Sequence, residues 1–268
     1  MSSPERRSSR NRNVSLFFLL MIVVFIARRR DDQRPESTSS PVSTPVENPI
    51  ESAIKSPPAR EPREGVAAAI LIDTSGSMTE RVSNVDGVKQ PKIEIARRAA
   101  IDLASQFDSY AKEHSDKPIL LGVYEFSDRD RQPSTRTVIK PGPPDAVAAH
   151  DAIMRMHAEG GTPIGNAMIQ AKRDLDATGL SKRHIVVITD GENTAGYAPQ
   201  DVTRAIVNQT DNDRASIYFV AFDVAASKFN AVKDAGGLVL AASNETGLRE
   251  TLDYLLTGKI LAEQPEQR

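Results

Sequence analysis

From residue 65 onward, apolar residues fall into two alternating patterns: short unbroken runs, and stripes recurring at steps of three and four. The runs at 66–72 (VAAAILI), 119–126 (ILLGVYEF), 184–189 (HIVVIT) and 216–222 (SIYFVAF) predict strands, because an uninterrupted apolar run suits a strand covered on both faces. Two shorter runs, 135–139 and 237–241, predict two more strands, the first as an antiparallel edge. The stripes predict amphipathic helices. One over 91–110 aligns Ile93, Ala96, Ala100, Leu103 and Phe107; another over 163–177 aligns Ile164, Ala167, Met168, Ala171 and Leu175, with Gly179 as its C-terminal stop. Weaker helices are expected over 144–157 and over 199–209, which turns Val202, Ala205 and Ile206 inward, and Leu248, Leu252 and Leu255 mark a final one. Strands alternating with helices predict an α/β fold around a mostly parallel sheet.

Ahead of this body the pattern changes twice. Residues 14–27 (VSLFFLLMIVVFIA) are apolar except for Ser15 and lie between Arg6, Arg7, Arg10 and Arg12 on one side and Arg28, Arg29 and Arg30 on the other. As a helix this segment would be about 21 Å long, short of the roughly 30 Å hydrocarbon core, so the flanking arginines would snorkel or the bilayer would thin. A signal-peptide core has the same length. The following ARRRDD offers no small-x-small cleavage site, which favours an uncleaved anchor. The positive-inside count is tied, with four arginines on each side within reach. Residues 31–64 then carry seven prolines, many Ser and Thr, and no aromatics. A stretch of this kind buries too little apolar surface to offset its ordering entropy and reads as a disordered tether. It suits display of a domain away from a bilayer, so an extracytoplasmic position is expected, although the same tether would serve in the cytoplasm. The expected organisation is a basic tail (1–13), an anchor or signal segment (14–27), a Pro/Ser-rich linker (28–64), one domain (65–258) and a short tail (259–268).

Composition narrows the chemistry. With 268 residues, 39% of them apolar, the chain supports one sizeable core. A formal net charge of −2, with the densest cluster of arginines at the N-terminus, gives no electrostatic footprint for nucleic acid. There are no cysteines, which removes disulfides, thiolate metal sites and cysteine nucleophiles. The four histidines, His114, His150, His157 and His184, are scattered and form no HExxH pair, and no phosphate-binding Gly-rich loop ending in Lys-Ser/Thr occurs.

Oxygen-bearing side chains stand at the ends of predicted elements: Asp73, Ser75 and Ser77 in IDTSGSM, Thr162 in GGTPIG, and Asp190 in ITDGE. Taken singly, each has an ordinary structural explanation. Asp and Ser close turns, Thr162 before Pro163 fits a helix cap, and Asp190-Gly191 fits a strand-end turn. Taken together, these carboxylates and hydroxyls suit a hard cation such as Mg²⁺, which prefers six oxygens and tends to keep several waters.

In this order and spacing the residues resemble the von Willebrand factor type A domains, whose metal-ion-dependent adhesion site is written D-x-S-x-S, then a distant Thr, then a distant Asp. The resemblance covers roughly residues 65–258. It implies a doubly wound, Rossmann-like α/β sheet of about six strands with helices on both faces. It also implies a divalent ion, Mg²⁺ first with Mn²⁺ or Ca²⁺ as alternatives, held by Asp73, Ser75, Ser77, Thr162 and Asp190. In such sheets ligands settle at the carboxyl ends of the strands, where strand order reverses. Three of the five ligands are neutral, so the ion stays electrophilic, and family members take a partner's Asp or Glu at the open position. The expected activity is therefore metal-dependent protein binding, without catalysis, with Gly161 and Glu192 on the partner-facing rim. Gly160 and Gly161 are expected to let the Thr162 loop approach and shift. Two other readings remain open at this point: a cytoplasmic adaptor for a chelatase-type ATPase supplied by other chains, and a metal-dependent hydrolase with Glu192 as base.

Overall fold

In the computed structural model, which describes residues 48–55, 62–84, 86–129 and 132–262, strand β1 (Arg63–Asp73) runs through the middle of a six-stranded sheet. Its neighbours are β4 (Ile119–Arg129) on one side and β6 (Leu180–Thr189) on the other, both parallel to it. Beyond β4 lies antiparallel β5 (Gln132–Gly142); beyond β6 lie β7 (Ser216–Phe222) and β8 (Leu238–Ala242), giving the order β5-β4-β1-β6-β7-β8. The chain builds outward from β1 through β4 to the β5 edge and then returns to add β6 on the opposite flank. The carboxyl ends of β1 and β6 therefore flank the point where the winding reverses.

Residue alternation on β1 sets the two helical layers. Ala68, Ile70 and Ile72 pack on the face covered by α2 (Lys92–Glu113), α3 (Ala146–Ile153) and α7 (Glu245–Leu255). Ala67, Ala69 and Leu71 pack on the face covered by α1 (Pro49–Ile54), α4 (Ile164–Ala177), α5 (Pro199–Val207) and α6 (Asn230–Asp234). All six of these side chains are fully buried, as an apolar run in a doubly covered parallel strand requires. The doubly wound α/β architecture expected from the sequence is the one observed.

Several boundaries differ from expectation, each for a physical reason. Strands β1 and β6 start at Arg63 and Leu180, before the apolar runs do, because these two residues already pair in the ladder while the exposed Glu64 and the half-buried Ser181 and Lys182 interrupt the apolar pattern. Helix α3 starts after Asp145, whose carboxylate accepts from the N–H groups of Val147 and Ala148, rather than at Pro144. Helix α1 lies inside the stretch whose composition predicts a structureless linker. Asn48 caps it, Pro49 occupies its first turn, and Ile50 and Ile54, one turn apart, are buried against the domain. At the other end a π-type turn (Leu256–Ile260) buries Ile260, so the packed body runs past the predicted boundary at 258. A small hairpin of β2 (Arg81–Ser83) and β3 (Lys89–Pro91) also separates the serine motif from α2. Its three-residue strands give no readable periodicity.

Among the described residues no helix is long and apolar enough to cross a membrane. The predicted anchor, residues 14–27, and most of the predicted linker lie outside the described residues.

Candidate metal centre

Strand β1 delivers Asp73 to the sheet's carboxyl edge, and the next residues fold back over it. The Ser75 N–H donates to Asp73 Oδ1 at 2.8 Å, and a 3-10 turn (Gly76–Thr79) then brings Ser77 Oγ to 3.1 Å from Ser75 Oγ. Strand β6, beside β1, ends in Thr189, whose hydroxyl donates to Asp73 Oδ2 at 2.6 Å. Asp190 follows directly, and Ser77 Oγ donates to its Oδ1 at 2.7 Å. Asp73, Ser75, Ser77 and Asp190 thus belong to one continuous set of polar contacts. The Thr162 hydroxyl, on the loop before α4, borders the same glycine as Ser77: a Cβ placed on Gly191 would lie 3.8 Å from Ser77 Oγ and 3.9 Å from Thr162 Oγ1. Thr162 does not cap α4, whose cap position is Pro163 with no side-chain cap bond.

The Thr162 loop is fastened on three sides. Glu159 N–H donates to Thr74 O, and Gly76 N–H donates to Gly160 O, tying the loop to the serine turn. Asp128 and Gly161 exchange backbone bonds, tying it to the end of β4. Thr194 accepts from Thr162 N–H through its hydroxyl at 2.7 Å and returns its own N–H to Thr162 O, tying it to the Asp190 loop. Gly160, at φ 78°, has its Cβ direction 2.0 Å from Asp128 O, so glycine here serves close crossing. Gly161 sits at the same crossing, and Glu192, 61% exposed, reaches outward to Lys228 Nζ at 3.1 Å.

Electrostatically the two carboxylates differ. Asp73 is fully buried with neutral donors on both oxygens, and burial pushes its pKa up to about 7 against the lowering effect of Ser75 and Thr189. Asp190 has a cation: Lys92, in the first turn of α2, places Nζ 3.0 Å from Asp190 Oδ2. Burial works to lower the Lys92 pKa, but its bonds to Glu80 and Asp190 outweigh that and raise it. The donor set fits a hard cation. Its atoms are all oxygens, and Asp73 is a buried acid whose charge such an ion would offset.

The von Willebrand factor type A domain model matches residues 69–249, more than half of the chain and every residue of this candidate site. The chain belongs to the von Willebrand factor type A family. Domains of this family are in general protein-interaction modules. The chain is 24% identical over 184 residues to the uncharacterized protein YwmC of Bacillus subtilis (strain 168), covering 63% of this chain and 73% of that protein. Its fold matches a von Willebrand factor type A structure from Catenulispora acidiphila (24% identity, TM-score 0.52, 72% of this chain), of which it spans 42%, less than half. It also matches the vWF domain of the type V pili tip protein Mfa5 from Porphyromonas gingivalis (10% identity, TM-score 0.55, 76% of this chain and 98% of that one).

Sequence motifs leave four participants of this type A domain unmarked. Thr189 and Thr194 are ordinary threonines in sequence, and only strand adjacency and loop packing give them roles. Asp223, at the end of β7, holds a φ of 51°, and its Oδ2 lies 3.1 Å from Lys92 Nζ. Lys92 carried a readable signal, because a lysine in a helix's first turn opposes the helix dipole and calls for anionic neighbours.

Proposed function

We propose that this type A domain is a divalent-cation-dependent protein-binding module, tethered to a membrane through residues 14–27, that captures an Asp or Glu side chain of a partner protein. The observation that carries the reading is the run of polar contacts linking Asp73, Ser75, Ser77 and Asp190 at the carboxyl edge between β1 and β6, with the Thr162 hydroxyl bordering it across Gly191. These five residues would hold the ion, with Mg²⁺ favoured and Mn²⁺ or Ca²⁺ as substitutes. A bound ion supplies an electrophilic position for a partner's carboxylate. The chain's own residues do the rest. Thr189 and the Ser75 N–H orient Asp73, Ser77 bridges to Asp190, and the fastened Thr162 loop closes the third side. Gly161 and Glu192 lie on the rim that a partner would cover. We read the module as non-enzymatic and displayed on the extracytoplasmic side. The tether's composition and the family's general use in protein interaction support that reading.

The test has two arms, run on the full chain in detergent. Mn²⁺ titration by calorimetry is expected to give one site that disappears in Asp73→Ala. Partner capture in Mg²⁺ is expected to be lost in EDTA and in the same variant. Capture that persists in both would move the contact away from this site.

A further inference from the structure

Lys92 is a charged residue built into the interior of the site, and the five-oxygen motif gives it no part. It is 4% exposed, and its ammonium bonds three carboxylates from three segments: Glu80 Oε2 at 2.9 Å, Asp190 Oδ2 at 3.0 Å and Asp223 Oδ2 at 3.1 Å. Glu80 closes the serine turn, its N–H donating to Ser77 O, and its carbonyl accepts from the Lys92 N–H at 2.8 Å. Asp223 is held by its own N–H donating to Ala242 O, at the cost of a left-handed backbone. Asp190 is therefore gripped at both oxygens, by Ser77 at Oδ1 and by Lys92 at Oδ2.

We infer that Lys92 is a resident cation of this site, a positioning residue that fixes Asp190 and holds divalent-ion affinity down. The inference rests on the reading of the five oxygens as an ion site. An ammonium on the outer oxygen of Asp190 draws electron density from the carboxylate and repels a second cation placed nearby. It also stabilises the ion-free form, in which Asp190, Glu80 and Asp223 would otherwise face one another without a counter-charge. Both effects act against ion binding. An ion held this loosely keeps more of its charge available to a partner's carboxylate.

Removing the charge reverses both effects. In Lys92→Met, Mn²⁺ is expected to bind at least tenfold tighter than in the wild type, the melting temperature in EDTA is expected to fall, and the Mn²⁺-induced rise in melting temperature is expected to grow. Lys92→Arg, which keeps the charge, should stay near wild-type affinity. A purely structural lysine would instead lower affinity in both variants. Should Lys92→Met fail to fold in EDTA, Asp223→Asn answers the same question. It frees the ammonium for Asp190 and removes one negative charge, so Mn²⁺ should bind severalfold more weakly. Unchanged or weaker Mn²⁺ binding by folded Lys92→Met overturns the inference, as does unchanged or tighter binding by Asp223→Asn. A wild-type protein that binds no Mn²⁺ overturns the ion site itself, and with it this role for Lys92.

Discussion

At the scale of single residues, two buried titratable groups pull the ion-free protein's pH dependence in opposite directions. Burial raises Asp73 from 3.8 to about 7, so between these values the folded state holds a proton that the unfolded chain has released, and stability falls as pH rises. Burial lowers His184, stacked on Tyr218 midway along β6, from 6.5 to about 3. Between those values the unfolded chain holds the extra proton, and stability rises with pH. Each contributes up to about 1.4 kcal/mol per pH unit, so from about pH 4 to 6.5 they largely cancel. In EDTA, Asp73→Asn should unmask a stability that rises over this window, and His184→Gln one that falls. Urea midpoints measured from pH 4 to 7 test this, and three parallel curves would remove the argument. The sequence revealed the acid at Asp73 through its motif. It could not reveal the depth of burial, which depends on β6 lying beside β1 and on Thr189 covering the second oxygen.

At the scale of elements, legibility followed how completely each segment is buried. The runs at 66–72 and 184–189 lie within β1 and β6, and the stripe at 163–177 matches α4 to within one residue, because doubly covered strands and one-sided helices impose strong patterns. The hairpin β2–β3 escaped notice. Its turn is set by Asn84, whose side chain accepts from the N–H groups of Asp86 and Val88, and that is a local signal without apolar period. The Thr162 loop was legible in its glycines, and the close approach expected of them is observed. Gly160 and Gly161 allow a close backbone crossing with Asp128, and six backbone or side-chain bonds then fasten the loop. Gly160→Ala should therefore push the loop off β4, costing on the order of 2 kcal/mol or more from strain at positive φ and the clash together. It should also weaken Mn²⁺ binding, because Thr162 would move with the loop. Wild-type melting temperature and Mn²⁺ affinity in this variant would show that the loop yields freely.

At the scale of the whole molecule, the ion-binding edge and the route back toward the N-terminus use different parts of the domain. The edge lies at the carboxyl ends of β1 and β6, whereas α1 docks on the flank formed by α4 and α5. There Ile50 and Ile54 are buried, and the Arg173 guanidinium donates to Ala53 O. A segment that composition marks as pure tether thus contains a short helix fixed to the domain. This separation predicts that the two functions can be uncoupled. Replacing both isoleucines by alanine removes two buried side chains, each worth about 2–5 kcal/mol in a well-packed core and less at a terminal helix that can detach. Helix α1 should then come free, with new protease cleavage near residues 48–55 and a lower melting temperature. Mn²⁺ affinity should stay within about twofold of wild type, since α1 packs on α4 and α5, neither of which carries one of the five candidate ligands. A parallel loss of Mn²⁺ binding, in protein that still melts cooperatively, would show instead that the α4/α5 flank and the carboxyl edge respond as one unit.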